Sequence, residues 1–167
     1  ATSNFAVTGD TIPLTVSSVA ITSASGAQNN FVNAGDLVSV TVNFTENASV
    51  TGTPQLTLVV GSYNRIASYT SGTGSTALVF QYTIQAGETD SDGISIGANT
   101  LALNGGIIRD PTGNDATITH NAVSANSSYK VDTTAPSVSS FTIDDSLLLV
   151  SETTDVDLVF SEAVASF

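Results

Sequence analysis

The chain contains two copies of a similar sequence segment with the pattern of a β-strand. Val16-Ser17-Ser18-Val19-Ala20-Ile21 returns as Val138-Ser139-Ser140-Phe141-Thr142-Ile143, 122 residues later. The segment that ends in Glu46 has a similar counterpart that ends in Glu162, 116 residues later. Because this spacing is shorter than the first, the two copies differ in the length of one loop. Repetition at a fixed period is typical of arrays in which each unit packs against its neighbours. A period of about 120 residues is the size of one domain.

The repeat divides the chain into three parts. Residues 1–12 match the last strand of a preceding repeat, because Phe5-Ala6-Val7 resembles Tyr129-Lys130-Val131. Residues 13–135 form one complete unit, and residues 136–167 contain the first strands of a following unit. A segment below about 40 residues rarely buries a core by itself. We therefore expect one complete domain followed by an incomplete one.

Apolar residues alternate with polar ones through most of the complete unit. Val38, Val40, Val42 and Phe44 are separated by single polar residues, which predicts a strand with one apolar face. Further strands are predicted at 55–60, 65–69, 77–84, 100–103, 107–108, 116–119 and 127–131. So many short strands between turn residues predict an all-β fold, an Ig-like antiparallel β-sandwich. The expected core residues are Val40, Val42, Phe44, Leu56, Leu58, Phe80 and Tyr82.

The charge balance excludes several classes of partner. Three cationic side chains stand against fifteen acidic ones, for a net charge of −12. Nucleic acids and anionic membranes are disfavoured, since phosphate groups are bound by Lys and Arg. No apolar run is long enough to insert into a membrane. The carboxylates either keep the protein soluble by repulsion or bind a divalent cation such as Ca²⁺.

Two acidic loops are candidate calcium sites. In the first, Glu88, Asp90 and Asp92 alternate ahead of a glycine, an order that is typical of calcium loops. Asn99 occupies the place of the last EF-hand glutamate, so the geometry would differ from an EF-hand. The second loop runs from Asp110 to Asp115 and includes Asn114. Plain turns stabilised by Asp and Asn side chains would have the same sequences.

The junction between units is a third candidate. Asp132-Thr133-Thr134-Ala135-Pro136 closes one unit, and Asp10-Thr11-Ile12-Pro13 does so one period earlier. A cation bound at such a linker would stiffen it, and Glu46 or its counterpart Glu162 could supply further oxygens. The alternative is that these glutamates are exposed strand ends. The predicted metal ligands are Glu46, Glu88, Asp90, Asp92, Asp110, Asn114, Asp115 and Asp132.

The sequence gives little support for catalysis. His120 is the only histidine, the chain has no cysteine, and no nucleophile is paired with the imidazole by any motif. Pairs of carboxylates cleave glycosides in some enzymes, but such clefts are normally lined by aromatic residues and this chain has no Trp. Tyr63 and Tyr69 could stack on a sugar or cover the sheet. We therefore expect that the protein is not an enzyme.

Five stretches resemble the tandem repeats of giant bacterial surface adhesins, including biofilm-type RTX adhesins and the repeats of the cyanobacterial swimming-motility surface protein. They are VTVNFTE at 40–46, TGTPQLTL at 51–58, YTSGTG at 69–74, ALNGGIIRD at 102–110 and KVDTTAP at 130–136. The resemblance implies an extracellular Ig-like extender that holds an adhesive tip away from the cell, often stiffened by calcium. It implies calcium binding at Asp90, Asp92, Asp110, Asp115 and Asp132.

Three functions are consistent with these observations. The first is a spacer repeat of a large secreted bacterial adhesin, supporting adhesion or biofilm formation at the cell surface, with neighbouring repeats as partners. The second is a self-assembling extracellular filament whose copies are joined by strand complementation. The third is a calcium-dependent carbohydrate-binding module. The host or surface ligand is not indicated by the sequence.

Overall fold

The computed structural model describes residues 9–164 and divides the chain into two compact units, Ala1–Thr133 and Thr134–Phe167. The strand predicted around Phe5-Ala6-Val7 lies outside the described residues. Within residues 9–164 there is no helix, and hence no helix long and apolar enough to cross a membrane. The strands are β1 (Val16–Ser25), β2 (Phe31–Val32), β3 (Leu37–Thr51), β4 (Gln55–Val60), β5 (Tyr63–Ser71), β6 (Ser75–Thr83), β7 (Thr89–Asp90), β8 (Leu101–Ala102), β9 (Ile107–Arg109), β10 (Lys130–Asp132), β11 (Val138–Ile143) and β12 (Val156–Phe160).

The first unit is built around the long strand β3. The larger sheet has the order β1-β3-β6-β5-β4-β8, and β9 pairs with the last part of β3. Val40 lies opposite Ile21 of β1 and Phe80 of β6 in antiparallel register. Burial alternates along β3, as the period of two requires, so that Val38, Val40 and Val42 are fully buried.

The smaller sheet has the order β2-β10-β7, with β10 parallel to β2 and antiparallel to β7. Val32 and Val131 of this sheet are buried in one hydrophobic core with the larger sheet. The prediction of an all-β fold is confirmed, and the arrangement is consistent with a β-sandwich. The predicted core residues Val40, Val42, Phe44, Leu56, Leu58 and Phe80 are buried, and Tyr82 is half-buried.

Local differences from the predicted strands lie where tertiary contacts decide the pairing. Strand β4 has the predicted bounds, but the turn after it has two residues rather than four, because Tyr63 pairs with Val60. Gly61 has a φ of 56°, and a Cβ there would lie 2.2 Å from the main-chain oxygen of Thr89. The segment 116–119, which was predicted as a strand, forms a single isolated bridge, between Thr117 and Thr15, and does not form a strand.

The second unit is a hairpin with the same register as β1 and β3. Phe141 pairs with Leu158, as Val19 pairs with Val42 at the corresponding positions of the first unit. The register shift between Val16 and Ser18 recurs between Val138 and Ser140. The turn that precedes the second strand also recurs: Leu149 N donates to Glu152 Oε2 at 2.8 Å, and Asn33 N donates to Asp36 Oδ2 at 2.7 Å. The described part of the hairpin forms a sheet of two strands.

Candidate metal site

Three carboxylates from distant parts of the sequence meet in the first unit. One oxygen from each of Asp10, Glu46 and Asp110 lies within 4.8 Å of the others. Asp10 is exposed, Glu46 is half-buried and Asp110 is buried. Within residues 9–164, this is the one group of three or more acidic or histidine side chains that meets this distance. The group could hold a metal ion.

The pairing of β9 with β3 explains how Glu46 and Asp110 meet. Ser49 of β3 lies opposite Arg109, the last residue of β9, and the two strands are antiparallel. The residue after Arg109 therefore lies beside the part of β3 that precedes Ser49. In that part the pairing of β3 with β6 is interrupted, with a register shift between Asn43 and Ala48. Glu46 thus lies at a break in the ladder beside the start of the 110–115 loop.

The carboxylate of Asp110 is held by its own loop. Its Oδ1 accepts hydrogen bonds from Thr112 N at 2.8 Å, from Thr112 Oγ1 at 2.8 Å and from Asn114 N at 2.9 Å. Its Oδ2 accepts one from Asn114 Nδ2 at 2.6 Å. Since a carboxylate oxygen has two lone pairs, Oδ2 keeps capacity for a further ligand. The loop fixes this carboxylate in one orientation before any cation binds.

The same hydrogen bonds keep Asp110 ionised. Burial acts to raise its pKa, but hydrogen bonds from the Asn114 side chain and main chain, Thr112 and Gly113 outweigh burial and lower the pKa from 3.8 to about 2. A metal ligand must be deprotonated, so this carboxylate is ready to bind a cation over the whole neutral and mildly acidic range.

Asn114 connects the loop to the segment before β1. Its Nδ2 donates to the main-chain oxygen of Asp10 at 3.1 Å as well as to Asp110. The Asp10 side chain accepts a hydrogen bond from Ile12 N at 2.9 Å through Oδ1, a short Asx turn. Asp10 was not among the predicted ligands, although the repeated junction had marked it as a carboxylate at the boundary between units. Asn114 was predicted as an oxygen ligand; its amide nitrogen donates hydrogen bonds to the main chain of Asp10 and to the carboxylate of Asp110.

In the loop whose sequence looked most like a calcium site, the carboxylates of Glu88 and Asp90 accept hydrogen bonds from other parts of the first unit. Glu88 is 1% exposed and accepts hydrogen bonds from Arg65 Nε, from Tyr82 Oη at 2.5 Å and from Gln85 N at 2.9 Å. Asp90 accepts hydrogen bonds from Gly61 N at 2.7 Å and Gly93 N at 2.8 Å. Both carboxylates therefore accept hydrogen bonds from donors of the first unit, on β5, on β6 and in the neighbouring turns.

The remaining predicted ligands are also separate from the group of three. Asp90, Asp92 and Asp132 line one shallow pocket of about 370 Å³, but their oxygens do not gather within 4.8 Å of one another in the described part of the chain. Asp115 is exposed and forms an ion pair with Arg109, with 2.6 Å between Oδ1 and Nε. Of the eight predicted ligands, the structure thus brings together Glu46 and Asp110, and adds Asp10.

The side chains considered for catalysis or sugar binding have partners within the fold. His120 Nε2 accepts hydrogen bonds from Thr100 N at 2.9 Å and Leu101 N at 3.2 Å, which requires that Nδ1 carry the proton and donate to Asn121 O. The Tyr63 ring is covered on one face by Arg65, 4.6 Å from the ring centroid. Tyr69 packs edge-on against Phe80 and accepts a hydrogen bond from Thr73 N.

Comparisons of the chain with protein families, with curated proteins and with solved structures find no match.

Proposed function

We propose that this chain is a structural spacer from a large secreted bacterial adhesin, extending an adhesive tip from the cell surface in adhesion or biofilm formation. The observation that carries the proposal is the shared register of the two hairpins, β1 with β3 and β11 with β12. Similar sequences alone could belong to two segments with unrelated structures. Equal pairing, an equal register shift and an equal turn indicate that the same structural unit recurs.

We further propose that calcium binds at Asp10, Glu46 and Asp110. All three donors are carboxylate oxygens, which bind hard cations such as calcium and magnesium in preference to softer metals. Calcium accepts six to eight oxygens in irregular geometry, whereas magnesium demands a near-ideal octahedron and loses its waters reluctantly. A strand interior, a loop and an extended segment supply ligands without a common local geometry, and this favours calcium.

A cation at this site would suit a spacer mechanically. Asp10 belongs to the repeated junction segment, Asp10-Thr11-Ile12-Pro13, whereas Glu46 and Asp110 lie in the body of the first unit. Binding would therefore fix the segment before β1 against β3 and the 110–115 loop. The net charge of −12 would also be reduced where three carboxylates converge.

Limited proteolysis of the 167-residue chain tests this role. With calcium present, cleavage within residues 9–13 should slow at least tenfold relative to chelator, as measured by mass spectrometry of the fragments. Glu46→Gln should abolish the protection. Asp92→Asn makes the same change of charge outside the group and serves as the matched control, so it should keep the protection. Equal cleavage rates with calcium and with chelator would contradict the proposal.

A further inference from the structure

Asn104 and Gly105 form a two-residue turn between β8 and β9. Both have positive φ, 48° and 77°, and Gly106 N donates to the main-chain oxygen of Leu103 at 2.8 Å. Asn-Gly favours a tight turn of this kind, because both residues tolerate the left-handed backbone. The sequence contains no other Asn-Gly pair. Asn104 is therefore the one asparagine whose following residue has no side chain to hinder its main-chain nitrogen.

The turn leaves the reactive groups of this pair open. Asn104 and Gly105 are both exposed, and a Cβ at Gly105 would meet no atom within 4 Å. The Asn104 side chain donates one hydrogen bond, from Nδ2 to Thr53 O, at the long distance of 3.4 Å. In the described part of the chain, Gly105 N has no hydrogen-bond partner. The Gly105 nitrogen is therefore available to the side-chain carbonyl carbon, Cγ, of Asn104.

We propose that Asn104 is a site of spontaneous deamidation in the folded protein. The Gly105 nitrogen attacks Cγ of Asn104 and forms a C–N bond. The bond from Cγ to Nδ2 breaks, and Nδ2 leaves as ammonia with the proton of the Gly105 amide. Water then opens the cyclic imide at either carbonyl carbon. Opening at Cγ gives aspartate, and opening at the main-chain carbonyl gives isoaspartate, so water is the only co-reactant.

The pair Asp92-Gly93 could form the same imide with loss of water, but its nitrogen is engaged. Gly93 is buried, and its N donates to Asp90 Oδ1 at 2.8 Å. A Cβ at Gly93 would lie 2.0 Å from Asn126 O, so the two main-chain segments are in close contact. Attack within this pair requires that the hydrogen bond to Asp90 break. At Asn104 the same rotation opens only an exposed turn, and openings of this kind are among the least costly in a folded chain.

Isoaspartate would lengthen a turn that has no room for a longer chain. It carries the main chain through Cβ and Cγ, which adds one atom between Leu103 and Gly106. A Cβ at Gly106 would lie 2.5 Å from Thr51 O, and one at Gly52 would lie 2.7 Å from Gly106 Cα. Strand β9 begins at Ile107, which pairs with Thr51. We expect isoaspartate to weaken the pairing of β9 with β3, whereas aspartate leaves the path of the chain unchanged.

Asp92→Asn provides the test, because it adds a second Asn-Gly pair to the same chain. The variant is incubated in mildly alkaline buffer, either folded or in urea, and peptide mass mapping follows deamidation at both positions. Dividing each folded-state rate by the rate in urea removes the effect of neighbouring residues. We expect this ratio to be at least ten times larger at position 104 than at position 92. Equal ratios, or no deamidation of Asn104 in the folded chain, would overturn the proposal.

Ageing of the unmodified chain tests the consequence for β9. Each deamidated form gains one negative charge and is separated by ion exchange, and isoaspartate is identified by labelling with an isoaspartate methyltransferase. Freshly prepared Asn104→Asp supplies the aspartate form for comparison. We expect the isoaspartate form to unfold at a lower urea concentration than Asn104→Asp. Equal midpoints for the two forms would overturn the predicted effect on the pairing of β9.

Discussion

Asn114 donates a hydrogen bond from Nδ2 to the main-chain oxygen of Asp10, 3.1 Å away, across 104 residues of sequence. The same amide donates to Oδ2 of Asp110. One side chain therefore contacts the carboxylate of Asp110 and also ties the main chain at Asp10 to the 110–115 loop. Replacing a group that orients a metal ligand typically lowers metal affinity by about 10-fold to 100-fold.

Replacing Asn114 should weaken the site without removing a carboxylate. Asn114→Ala loses the hydrogen bonds to Asp10 and Asp110, and we expect calcium affinity to fall by about 10-fold to 100-fold in isothermal titration. Asn104→Ala, in another turn of the first unit, is the control and should leave the affinity unchanged. An unaltered affinity in Asn114→Ala would show that the loop does not orient the ligands.

The pKa of Asp110 predicts how stability depends on pH in the absence of metal. Its folded-state pKa of about 2 lies below the ordinary 3.8, so the unfolded chain takes up a proton at higher pH than the folded chain. The stability due to this carboxylate is therefore present above pH 3.8 and is lost as the pH falls toward 2. The destabilisation caused by Asp110→Asn, measured by urea unfolding, should shrink over that window.

A companion variant tests the cause of that shift. Thr112→Val removes the hydroxyl that donates to Asp110 Oδ1, and should raise the carboxyl pKa toward its ordinary value in an NMR titration. A pKa that does not move would mean that the hydroxyl contributes nothing to the shift.

The buried pair of Tyr82 and Glu88 predicts an alkaline dependence. Burial, the hydrogen bond to Glu88 and the charge of that carboxylate raise the pKa of Tyr82 well above its ordinary value, and the charge of Arg65 offsets part of the rise. The contribution of Tyr82 to stability is therefore present below pH 10 and is lost as the pH rises further. Ultraviolet titration should show this phenol ionising last, with unfolding.

Removing the Tyr82 hydroxyl should also cost stability at neutral pH. Tyr82→Phe loses a hydrogen bond to a charged acceptor, and we expect a loss of about 1.5 kcal/mol in urea unfolding. Tyr63→Phe is the matched control, because Tyr63 is exposed, and should change stability by less than about 0.5 kcal/mol. Equal effects of the two substitutions would refute the role assigned to the buried hydroxyl.

His120 should prove structural. His120→Ala leaves the main-chain N–H groups of Thr100 and Leu101 without their acceptor, and unpaired donors of this kind cost about 1–3 kcal/mol each, less where water can enter. We expect a total loss of about 2–3 kcal/mol in urea unfolding. His120→Gln can offer an amide oxygen in place of Nε2 and should recover part of the loss. No loss in the alanine variant would contradict the assignment.

The fold was accessible from the sequence where local patterns decide it. Alternation from Val38 to Phe44 predicted a strand with one buried face, and the structure confirms the burial of Val38, Val40 and Val42. The turn at Gly61 was predicted too long, since the pairing of Val60 with Tyr63 depends on the partner strand and not on turn composition alone.

The site was less accessible, because carboxylate spacing does not reveal tertiary proximity. Glu88 and Asp90 had the order of calcium ligands, yet Arg65 and the glycine N–H groups that bind them come from about 20 to 30 residues earlier or from the turn after them. Glu46 and Asp110 are brought together by the pairing of β3 with β9, which no local pattern indicates. Only the repeated junction pointed to Asp10.

Thermal unfolding with millimolar calcium and then with excess chelator tests the central claim most directly. A ligand that binds only the folded state raises its stability by about 2.7 kcal/mol at a hundredfold excess over the dissociation constant. We predict a clear fall in the midpoint on chelation for the unmodified chain and for Asp92→Asn, and little or no fall for Glu46→Gln. An unchanged midpoint in the unmodified chain, or an equal fall in Glu46→Gln, would contradict calcium binding at Asp10, Glu46 and Asp110.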